Sequence, residues 1–523
     1  MENLFIKKNS NYKNISKFAG STMISRILGY FRDMVIANFF GAGFYADIFY
    51  VAYRVPNLFR RLLGEGALIS AFIPIYTDYL SHKSEEEQKK FLGSVLSALA
   101  IALCAITILG IIFTPFILKI ITPGFINQPE KFRLAVLLSR IMFPFFIAIG
   151  FSALFMGILC VHSIFIYSAL SSCFLSISEL LIMFSIVPFV AQKVAIIWLS
   201  IAVVIGGIWQ ALFQLIPIIK QKIKMTFCLD FKNDGLKKIL ILMIPAIIGS
   251  STDQVSAFVD VIFASWLREG SISALYYSNH LMLLPLSLFG VAVSVVALPN
   301  LSKSASFENF KELKKMLRDN INIMIYFIIP STVGLIVLAN PIVKLLFERG
   351  KFDTLATAMT SSTLQFYCLG LFSYACVKII STAFYSLKDT KTPVKIAAFC
   401  VVTNVIANFI LMKPLKVGGL ALATAISSTI NLLLLLYSLR KRIGKLGFFK
   451  KQRISNFVKV FISSIFMGII CSVSYKFFIW NKFLAFIIPI FLGIFFYLSL
   501  TYILKVNEIK FILNRIKAKI SKK

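Results

Sequence analysis

Long apolar segments follow one another along almost the whole chain. A transmembrane helix needs about 20 consecutive apolar residues, whereas a membrane β-barrel shows short alternating segments. The chain is therefore predicted to be an all-α polytopic membrane protein with about 14 transmembrane helices. The predicted spans lie at roughly residues 15–39, 46–79, 91–120, 133–160, 163–190, 194–219, 238–267, 273–300, 319–340, 356–386, 394–412, 418–439, 455–476 and 483–504.

Composition supports this prediction and argues against a nucleic-acid partner. Hydrophobic residues make up 58% of the sequence and the mean hydropathy is +0.85, which is above the usual value for soluble domains. The formal net charge of +33 would suggest nucleic-acid binding in a soluble chain. Here the basic residues are concentrated in alternate connections, so the positive-inside rule predicts that both termini are cytoplasmic. These connections are 220–238, 303–318, 388–395 and 440–453, together with the C-terminal tail.

The sequence carries no motif of a catalytic centre. The eight cysteines stand singly without a CxxC pair, so they are interpreted as apolar packing residues. No Ser/His/Asp set, Walker sequence, HExxH motif or paired-carboxylate motif is present. The first apolar segment carries two arginines and no A-x-A cleavage site, so it is expected to be the first span. A transporter is predicted, and not an enzyme.

A weak internal repeat predicts the domain organisation. The segments FYVAYRVPNLF…GEGALISAFIP and YYSNHLMLLPLSLFGVAVSVVALPN both start with an aromatic pair and continue with a proline, a glycine and a terminal proline. They lie six predicted spans apart, which fits two parallel six-helix lobes with a substrate site between them. The predicted lobes are residues 1–222 and 223–440, and residues 441–523 form a helix pair with a basic tail. The alternative, that apolar segments resemble each other by chance, stays open.

Ionisable residues are concentrated in the first two spans. Such a side chain costs roughly 2.5–3.5 kcal/mol in a membrane, so it normally faces a bundle interior or a watery cavity. Arg26 and Asp33 are seven residues apart and share a helix face, whereas Arg32 points about 120° away. The arginine excess predicts an anionic guest, and the guanidinium fork suits phosphate or pyrophosphate. The alternative to an anionic guest is that these arginines form internal salt bridges. For Arg60 and Arg61, a further alternative is that the side chains extend (snorkel) to the lipid headgroups. The full set is Arg26, Arg32, Asp33, Asp47, Arg54, Arg60, Arg61 and Glu65.

Other polar groups within the spans give weaker signals. Carboxylate, amide and hydroxyl oxygens from three predicted spans can ligate Na⁺ or form hydrogen bonds between helices, and the residues leave both interpretations open. Glu179 and Lys378 are single charges for which no partner is predicted. Among the histidines, only His280 lies in a span where it can face the cavity. The oxygen-bearing residues are Asp260, Asn404, Asn408 and Thr424.

Several segments resemble the MurJ (MviN) family of lipid II flippases, a branch of the multidrug/oligosaccharidyl-lipid/polysaccharide exporter superfamily. They are SRILGYFRD, FGAGFYAD, PNLFRRLLGEGA, AFIP, GGIWQALFQLIP and FYSLKDTKTPVK. The resemblance implies a multi-pass protein of the bacterial cytoplasmic (inner) membrane. It would move undecaprenyl-pyrophosphate-linked disaccharide-pentapeptide, lipid II, to the outer leaflet for peptidoglycan synthesis. It also implies two lobes that rock around a cationic cavity, and a groove for the polyprenyl tail on the last two helices.

The resemblance also implies functional residues. The family's cavity arginines fall on Arg26, Arg32 and Arg60, and Asp33 is adjacent to Arg32. Arg54 stands at a position where the family has a basic residue, and Ser273 stands at the position of a cavity serine. The sodium site of some members falls on Asp260, Asn404, Asn408 and Thr424, although Asn408 stands where a carboxylate is expected.

One segment departs from the family pattern. Where the family has a pattern like YYADRLMEFP, this chain has YYSNHLMLLP, so His280 replaces an arginine and Leu283 replaces a glutamate. An imidazole is largely neutral at pH 7 unless its surroundings favour the proton. Either the remaining arginines suffice for the pyrophosphate, or substrate handling differs.

The sequence thus predicts alternating access, with lipid II and membrane lipids as partners, no required oligomer, and no cofactor other than a Na⁺ ion. Na⁺ and the membrane potential are both open as energy sources. Two other functions are weighed. One is flipping of another polyprenyl-linked oligosaccharide, against which the motifs argue. The other is cation-coupled drug antiport, against which the arginine excess argues.

Overall fold

The computed structural model describes residues 23–59, 68–291, 310–447 and 451–509, apart from residues 224, 229, 231, 232, 479 and 482. These residues are helical with short connections and contain no β-strand. Eight helices among them are long and apolar enough to cross a membrane, or nine when a bent pair counts as one span. The prediction of an all-α multi-pass membrane protein is confirmed. The count of spans and the side of the termini stay predictions.

The chain divides into two compact units, and the first contains the N-terminal helices. This unit ends at Ile272 and also includes Arg349–Phe352. The helix at residues 234–264 therefore packs with the first unit, although the sequence analysis assigned it to the second lobe. The predicted lobe boundaries themselves stay a prediction. The helices are α1 (residues 23–40), α2 (Phe44–Phe59), α3 (Leu68–His82), α4 (Glu85–Ile121), α5 (Pro129–Met142), α6 (Phe145–Val161), α7 (Phe165–Ser185), α8 (Gln192–Lys220) and α9 (Asp234–Ala264).

Local sequence explains where these helices begin and break. Ser84 caps α4 through a reciprocal pair of hydrogen bonds with Glu87, which satisfies backbone N–H groups that the first turn leaves free. The span predicted at 133–160 is found as one candidate span at Pro129–Val161, and Pro144 lies at the break between α5 and α6 inside it. Helices α3, α4, α6, α8 and α9 then enclose one apolar core that includes Phe72, Phe91 and Ile158.

The short segment Arg349–Phe352 docks on the C-terminal end of α1. The Lys351 backbone N–H donates to the Asn38 carbonyl oxygen at 2.9 Å. Gly41 and Gly350 both have positive φ angles, +66° and +56°, which favour glycine. A Cβ atom on Gly350 would lie 2.3 Å from the Asn38 carbonyl oxygen, so the close approach of the two backbones requires glycine there.

The second unit contains Ser273–Glu348 and the chain from Asp353 onward. Helices α13 (Thr354–Leu369) and α14 (Leu371–Ser386) form the bent pair, with an angle of 43°. Helix α15 (Lys391–Ile443) contains the predicted spans 394–412 and 418–439, with a break at Lys416, where φ is 52°. The helices are α10 (Ser271–Pro285), α11 (Phe310–Val337), α12 (Ala339–Phe347), α13 (Thr354–Leu369), α14 (Leu371–Ser386), α15 (Lys391–Ile443), α16 (Lys451–Phe477) and α17 (Leu484–Ile503).

The last two helices pack on each other and on α11. The Tyr497 hydroxyl donates to the Tyr326 carbonyl oxygen at 2.6 Å, and the Tyr326 hydroxyl lies 3.2 Å from Thr501 Oγ1. Large apolar side chains on the outside of this pair, such as Phe491 and Phe495, are 70% and 65% exposed. Exposed apolar side chains on a membrane helix are suited to contact with lipid.

Candidate functional site

A buried ion-pair cluster joins α1 to α7 inside the first unit. The Arg32 guanidinium donates from Nε and Nη2 to Asp33 Oδ1, at 3.0 and 2.7 Å. Arg32 Nε also lies 3.5 Å from Glu179 Oε2. Arg32, Asp33 and Glu179 are 8%, 1% and 2% exposed. In these three residues, which we call the Arg32 cluster, two carboxylates share one guanidinium.

The Arg32 cluster corrects the sequence-based expectations for this part of α1. Helical geometry directs Arg32 about 120° away from the face of Arg26 and Asp33. The long arginine side chain nevertheless turns to its neighbour, and it meets a second carboxylate from another helix. In the structure Arg32 is ion-paired, which matches the alternative of internal salt bridges, and its role in a cavity stays a prediction. Glu179, for which no partner was predicted, supplies that second carboxylate.

Close helix packing fixes the position of Glu179. Helix α7 lies directly on α8, and a Cβ atom at Gly206 would be 2.3 Å from Ser178 Oγ and 2.8 Å from the Leu175 Cα atom. The Ser178 hydroxyl donates to the Ala202 carbonyl oxygen across the same contact, at 2.8 Å. Small residues that let two backbones approach, together with hydroxyl bonds, are the usual means of packing helices in membranes. Glu179 follows Ser178 and is thus held on a firmly packed helix.

Arg54 connects α2 to α9. It is half-buried. Its Nη2 donates to the Ala257 carbonyl oxygen, and its guanidinium carbon lies 5.7 Å from the centroid of the Phe258 ring. A guanidinium over an aromatic face gains a cation–π interaction. Arg54 therefore contacts a different helix from the one that Arg32 contacts.

A second charged cluster lies where α2, α5 and the connection between α9 and α10 come together. Lys131 Nζ lies 3.6 Å from Asp47 Oδ2 and 3.8 Å from Glu269 Oε1, and Asp47 Oδ2 accepts the Gly270 backbone N–H at 2.8 Å. Lys131 and Asp47 are 3% and 2% exposed. Lys131 lies between the predicted spans 91–120 and 133–160, but in the structure it is a buried residue of α5. We call Lys131, Asp47 and Glu269 the Lys131 cluster.

Two further arginines, Arg26 and Arg60, belong to the predicted cavity set. Arg26 lies on α1 and is exposed. Arg60, Arg61 and Glu65 lie outside the described residues, so the predicted role of Arg60 stays a prediction. Among the described cavity residues proposed in the first unit, Arg32 and Asp33 are in direct contact.

Ser273 and His280 both lie on α10, in the second unit. Ser273 is fully buried, and the His280 ring is half-buried with its centroid 5.4 Å from the Tyr276 ring. The neighbouring Ser278 hydroxyl donates to the Thr360 carbonyl oxygen at 3.0 Å. Tyr276 and His280 are one turn apart, so the imidazole is supported by an aromatic ring of its own helix.

Three of the four residues predicted to bind Na⁺ form one hydrogen-bonded group in the second unit. Asn404 Nδ2 donates to Thr424 Oγ1 at 3.3 Å, and Asn408 Nδ2 donates to Asn404 Oδ1 at 3.1 Å. Both asparagines are fully buried. The Asn404–Thr424 bond crosses the break at Lys416, while the Asn408–Asn404 bond joins residues one turn apart. The same oxygens are of the type that hard cations prefer, so both interpretations stay open. Asp260 is buried on α9, which belongs to the first unit.

One motif that carries the family resemblance, FYSLKDTKTPVK, has a structural role at the start of α15. Asp389 accepts the Thr392 backbone N–H at 3.0 Å and the Thr392 hydroxyl at 2.8 Å. It is also ion-paired with Arg442, which donates to the Leu387 carbonyl oxygen at 3.3 Å. Burial tends to raise the pKa of the Asp389 carboxyl, but the Thr392 hydrogen bonds and the Arg442 charge outweigh it, so its pKa is lowered. Asp389 thus ties the two ends of α15 together.

A helical multi-pass protein with charged side chains buried inside its spans belongs to the class of membrane transporters, because such groups are kept there for transport or relay. The family described as lipid II flippase MurJ matches residues 36–492. The chain belongs to this family.

Individual relatives support the same assignment. The chain is 39% identical to the probable lipid II flippase MurJ of Buchnera aphidicola subsp. Acyrthosiphon pisum over 80% of this chain and 82% of that protein. It is 32% identical to the lipid II flippase MurJ of Burkholderia cenocepacia, over 82% and 84%. A solved lipid II flippase MurJ in an inward closed conformation matches with a TM-score of 0.78 and 32% identity, over 93% of this chain and 98% of that one. An inward-facing multidrug resistance MATE family transporter, 14% identical with a TM-score of 0.67 over 83% and 98%, shares the fold.

Sequence reasoning missed Glu179 and Lys131 as parts of charged clusters. For Glu179 a signal was present, because a single acid in the apolar run SISELLIMF requires a cation or a proton. For Lys131 there was none, since a lysine next to a predicted loop is ordinarily exposed.

Proposed function

We propose that this chain moves lipid II from the inner to the outer leaflet of the bacterial cytoplasmic (inner) membrane, as a transporter without enzymatic activity. The observation that carries the proposal is the match to the lipid II flippase MurJ family over most of the chain, together with a guanidinium buried in α1. An arginine offers a fixed fork of donors that suits pyrophosphate and does not lose its charge. Arg32 is the residue that we assign to the lipid pyrophosphate.

The other cavity residues have supporting roles in this proposal. Arg26 and Arg60 attract the pyrophosphate from the inner leaflet, and Arg54 adds positive charge on the next helix. Asp33 holds the Arg32 guanidinium in place through the bonds at 2.7 and 3.0 Å. Ser273 and His280 act from α10. Because an imidazole lacks the permanent charge of arginine, His280 contributes less to anion binding than the arginine expected there.

Transport proceeds by alternating access in this proposal. The headgroup enters a site open to the cytoplasm while the polyprenyl tail stays in lipid, and the site then opens to the other side. Two energy sources fit. A cation such as Na⁺ can be held by the oxygens of Asn404, Asn408 and Thr424, or the membrane potential can act on the cavity charges. The potential supplies about 2.3 kcal/mol per charge per 100 mV.

Growth complementation tests the proposal. A bacterial strain depleted of its own lipid II flippase is given this chain, and the wild type is expected to restore growth. Arg26→Ala and Arg32→Ala are each expected to abolish rescue, while Arg133→Ala, an exposed arginine of α5, retains it. Failure of a well-expressed wild-type protein would overturn the assignment. Rescue that is unchanged in both cavity variants would overturn the role of these arginines.

A further inference from the structure

In the Arg32 cluster, Glu179 shares the Arg32 guanidinium with Asp33, which lies closer to it. Arg32 is 3.0 Å or less from Asp33 Oδ1 and 3.5 Å from Glu179 Oε2. With all three groups ionised, the cluster carries a net charge of −1 in a buried position. A buried charge is costly unless it is neutralised, and a carboxylate can be neutralised by a proton.

The surroundings of Glu179 provide few other charges. Helix α7 packs mainly on α8, whose charged residues Lys193 and Lys220 lie at its two ends. Helix α6 carries no charged residue, and its titratable group is Cys160, near the end of the helix. From α1, the groups whose charges act on Glu179 are Arg32 and Asp33. In the part of the chain that the structure describes, the charge balance at Glu179 is therefore set by the Arg32 cluster itself.

We propose that Glu179 is a protonatable counter-anion of Arg32, and that its protonation makes the guanidinium, which Asp33 continues to hold, more available to the lipid pyrophosphate. This inference rests on the proposed function. Ionised Glu179 competes with pyrophosphate for the same donors and repels it as a like charge. Protonated Glu179 is neutral and carries an O–H donor, so it no longer competes and can itself donate to a phosphate oxygen.

The chemistry is a binding step coupled to one proton, with no covalent change. Lipid II binding takes up one proton from water at the Glu179 carboxylate, and lipid II release returns it. Because linkage is reciprocal, the substrate strengthens proton binding by the same factor by which the proton strengthens substrate binding. Glu179 is a positioning residue in this scheme because it acts through Arg32. A purely structural ion pair would instead hold α1 on α7 and would not couple binding to pH.

The test is a binding titration of purified protein with lipid II, and in parallel with undecaprenyl pyrophosphate, between pH 6 and 8.5. The wild-type Kd is expected to rise with pH by up to about tenfold per pH unit, the limit for one coupled proton. Glu179→Gln, which resembles the protonated acid, is expected to bind tightly throughout and to show a flattened pH profile. Glu179→Asp and the exposed control Glu130→Gln are expected to keep the pH dependence.

The outcomes separate this inference from the proposed function. If the wild type binds neither lipid at any pH, the proposed function fails. If it binds lipid II with a pH profile that Glu179→Gln leaves unchanged, the function stands and the role of Glu179 is overturned. If Glu179→Gln does not fold, proton uptake by the wild type on adding lipid II in weak buffer decides, and an absence of uptake overturns the inference.

Discussion

Removing the cation of the Lys131 cluster should destabilise the first unit strongly. Lys131 lies 3.6 Å from Asp47 and 3.8 Å from Glu269, and its Nζ is 4.5 Å from the Phe125 ring centroid and 5.6 Å from that of Phe44. The substitution Lys131→Met keeps most of the side-chain volume and removes the charge. It leaves the buried Asp47 carboxylate without the ammonium group that faces it.

The magnitude follows from the geometry. Two unit charges 3.6 Å apart attract by about 5 kcal/mol at an effective dielectric constant of about 20. Desolvation of both groups offsets much of this attraction in the intact pair, but removing one partner leaves the cost of burying the other. Such single removals cost about 3–5 kcal/mol. The contact of Lys131 with the Phe125 ring adds a loss of about 0.5–2 kcal/mol.

Thermal unfolding in detergent, followed by intrinsic fluorescence, measures the effect. Lys131→Met is expected to lower the apparent melting temperature by about 6 °C or more. The matched control is Lys193→Met, because Lys193 is 59% exposed and pairs at 3.9 Å with Glu130, which is 76% exposed. An exposed pair contributes about 0–1 kcal/mol, so the control should shift by about 2 °C at most. Equal shifts for the two variants would refute the account of the Lys131 cluster.

Two further pairs of substitutions test one local feature in each unit. Gly350→Ala adds a Cβ atom 2.3 Å from the Asn38 carbonyl oxygen at a φ of +56°, so it should lower the free energy of unfolding by about 1–2 kcal/mol or more. The control Gly29→Ala adds a Cβ atom with no neighbouring atom within 4 Å, so its effect on stability should be neutral or stabilising. Equal melting temperatures for these two variants would contradict the close approach at Gly350. Asp389 has a pKa below its ordinary value of 3.8, so its stabilising effect is present at neutral pH and is lost as the pH falls below about 3.8. Asp389→Asn should therefore lower the melting temperature at pH 7 to the same extent as Arg442→Met. At pH 3 the melting temperatures of Asp389→Asn and the wild type should differ less. A difference in melting temperature that is constant with pH would refute the contribution of the carboxylate.

Periodicity and apolar length predicted the class of fold well, because the membrane requires long helices with satisfied backbone groups. They predicted breaks in the helices less well. The break at Lys416 lies between the predicted spans 394–412 and 418–439, whereas the break at Pro144 lies inside the predicted span 133–160. The break at Pro144 depends on local backbone geometry, which apolar length does not record. The assignment of α9 to the second lobe depended on counting spans in order, and counting does not contain information on packing.

The candidate site was predicted in part. The resemblance to the family singled out Arg32 and Asp33, and the structure places these side chains in contact. Helical angles alone separated them, because the angle describes Cα positions and not the reach of a long side chain. Glu179 lies far from Arg32 in the sequence, so their ion pair follows from tertiary packing, which spacing within one helix cannot predict.

The central claim, that Arg32 recognises the lipid pyrophosphate during flipping, is tested most directly by the leaflet in which lipid II is found. In cells depleted of their own flippase, an enzyme that cleaves lipid II is added from outside, and the cleaved fraction is measured. Wild-type chain and Arg133→Ala should make most of the lipid II accessible, while Arg32→Ala should leave the fraction at the level of depleted cells. An Arg32→Ala protein present in the membrane at wild-type amounts that exposes as much lipid II as the wild type would contradict the account.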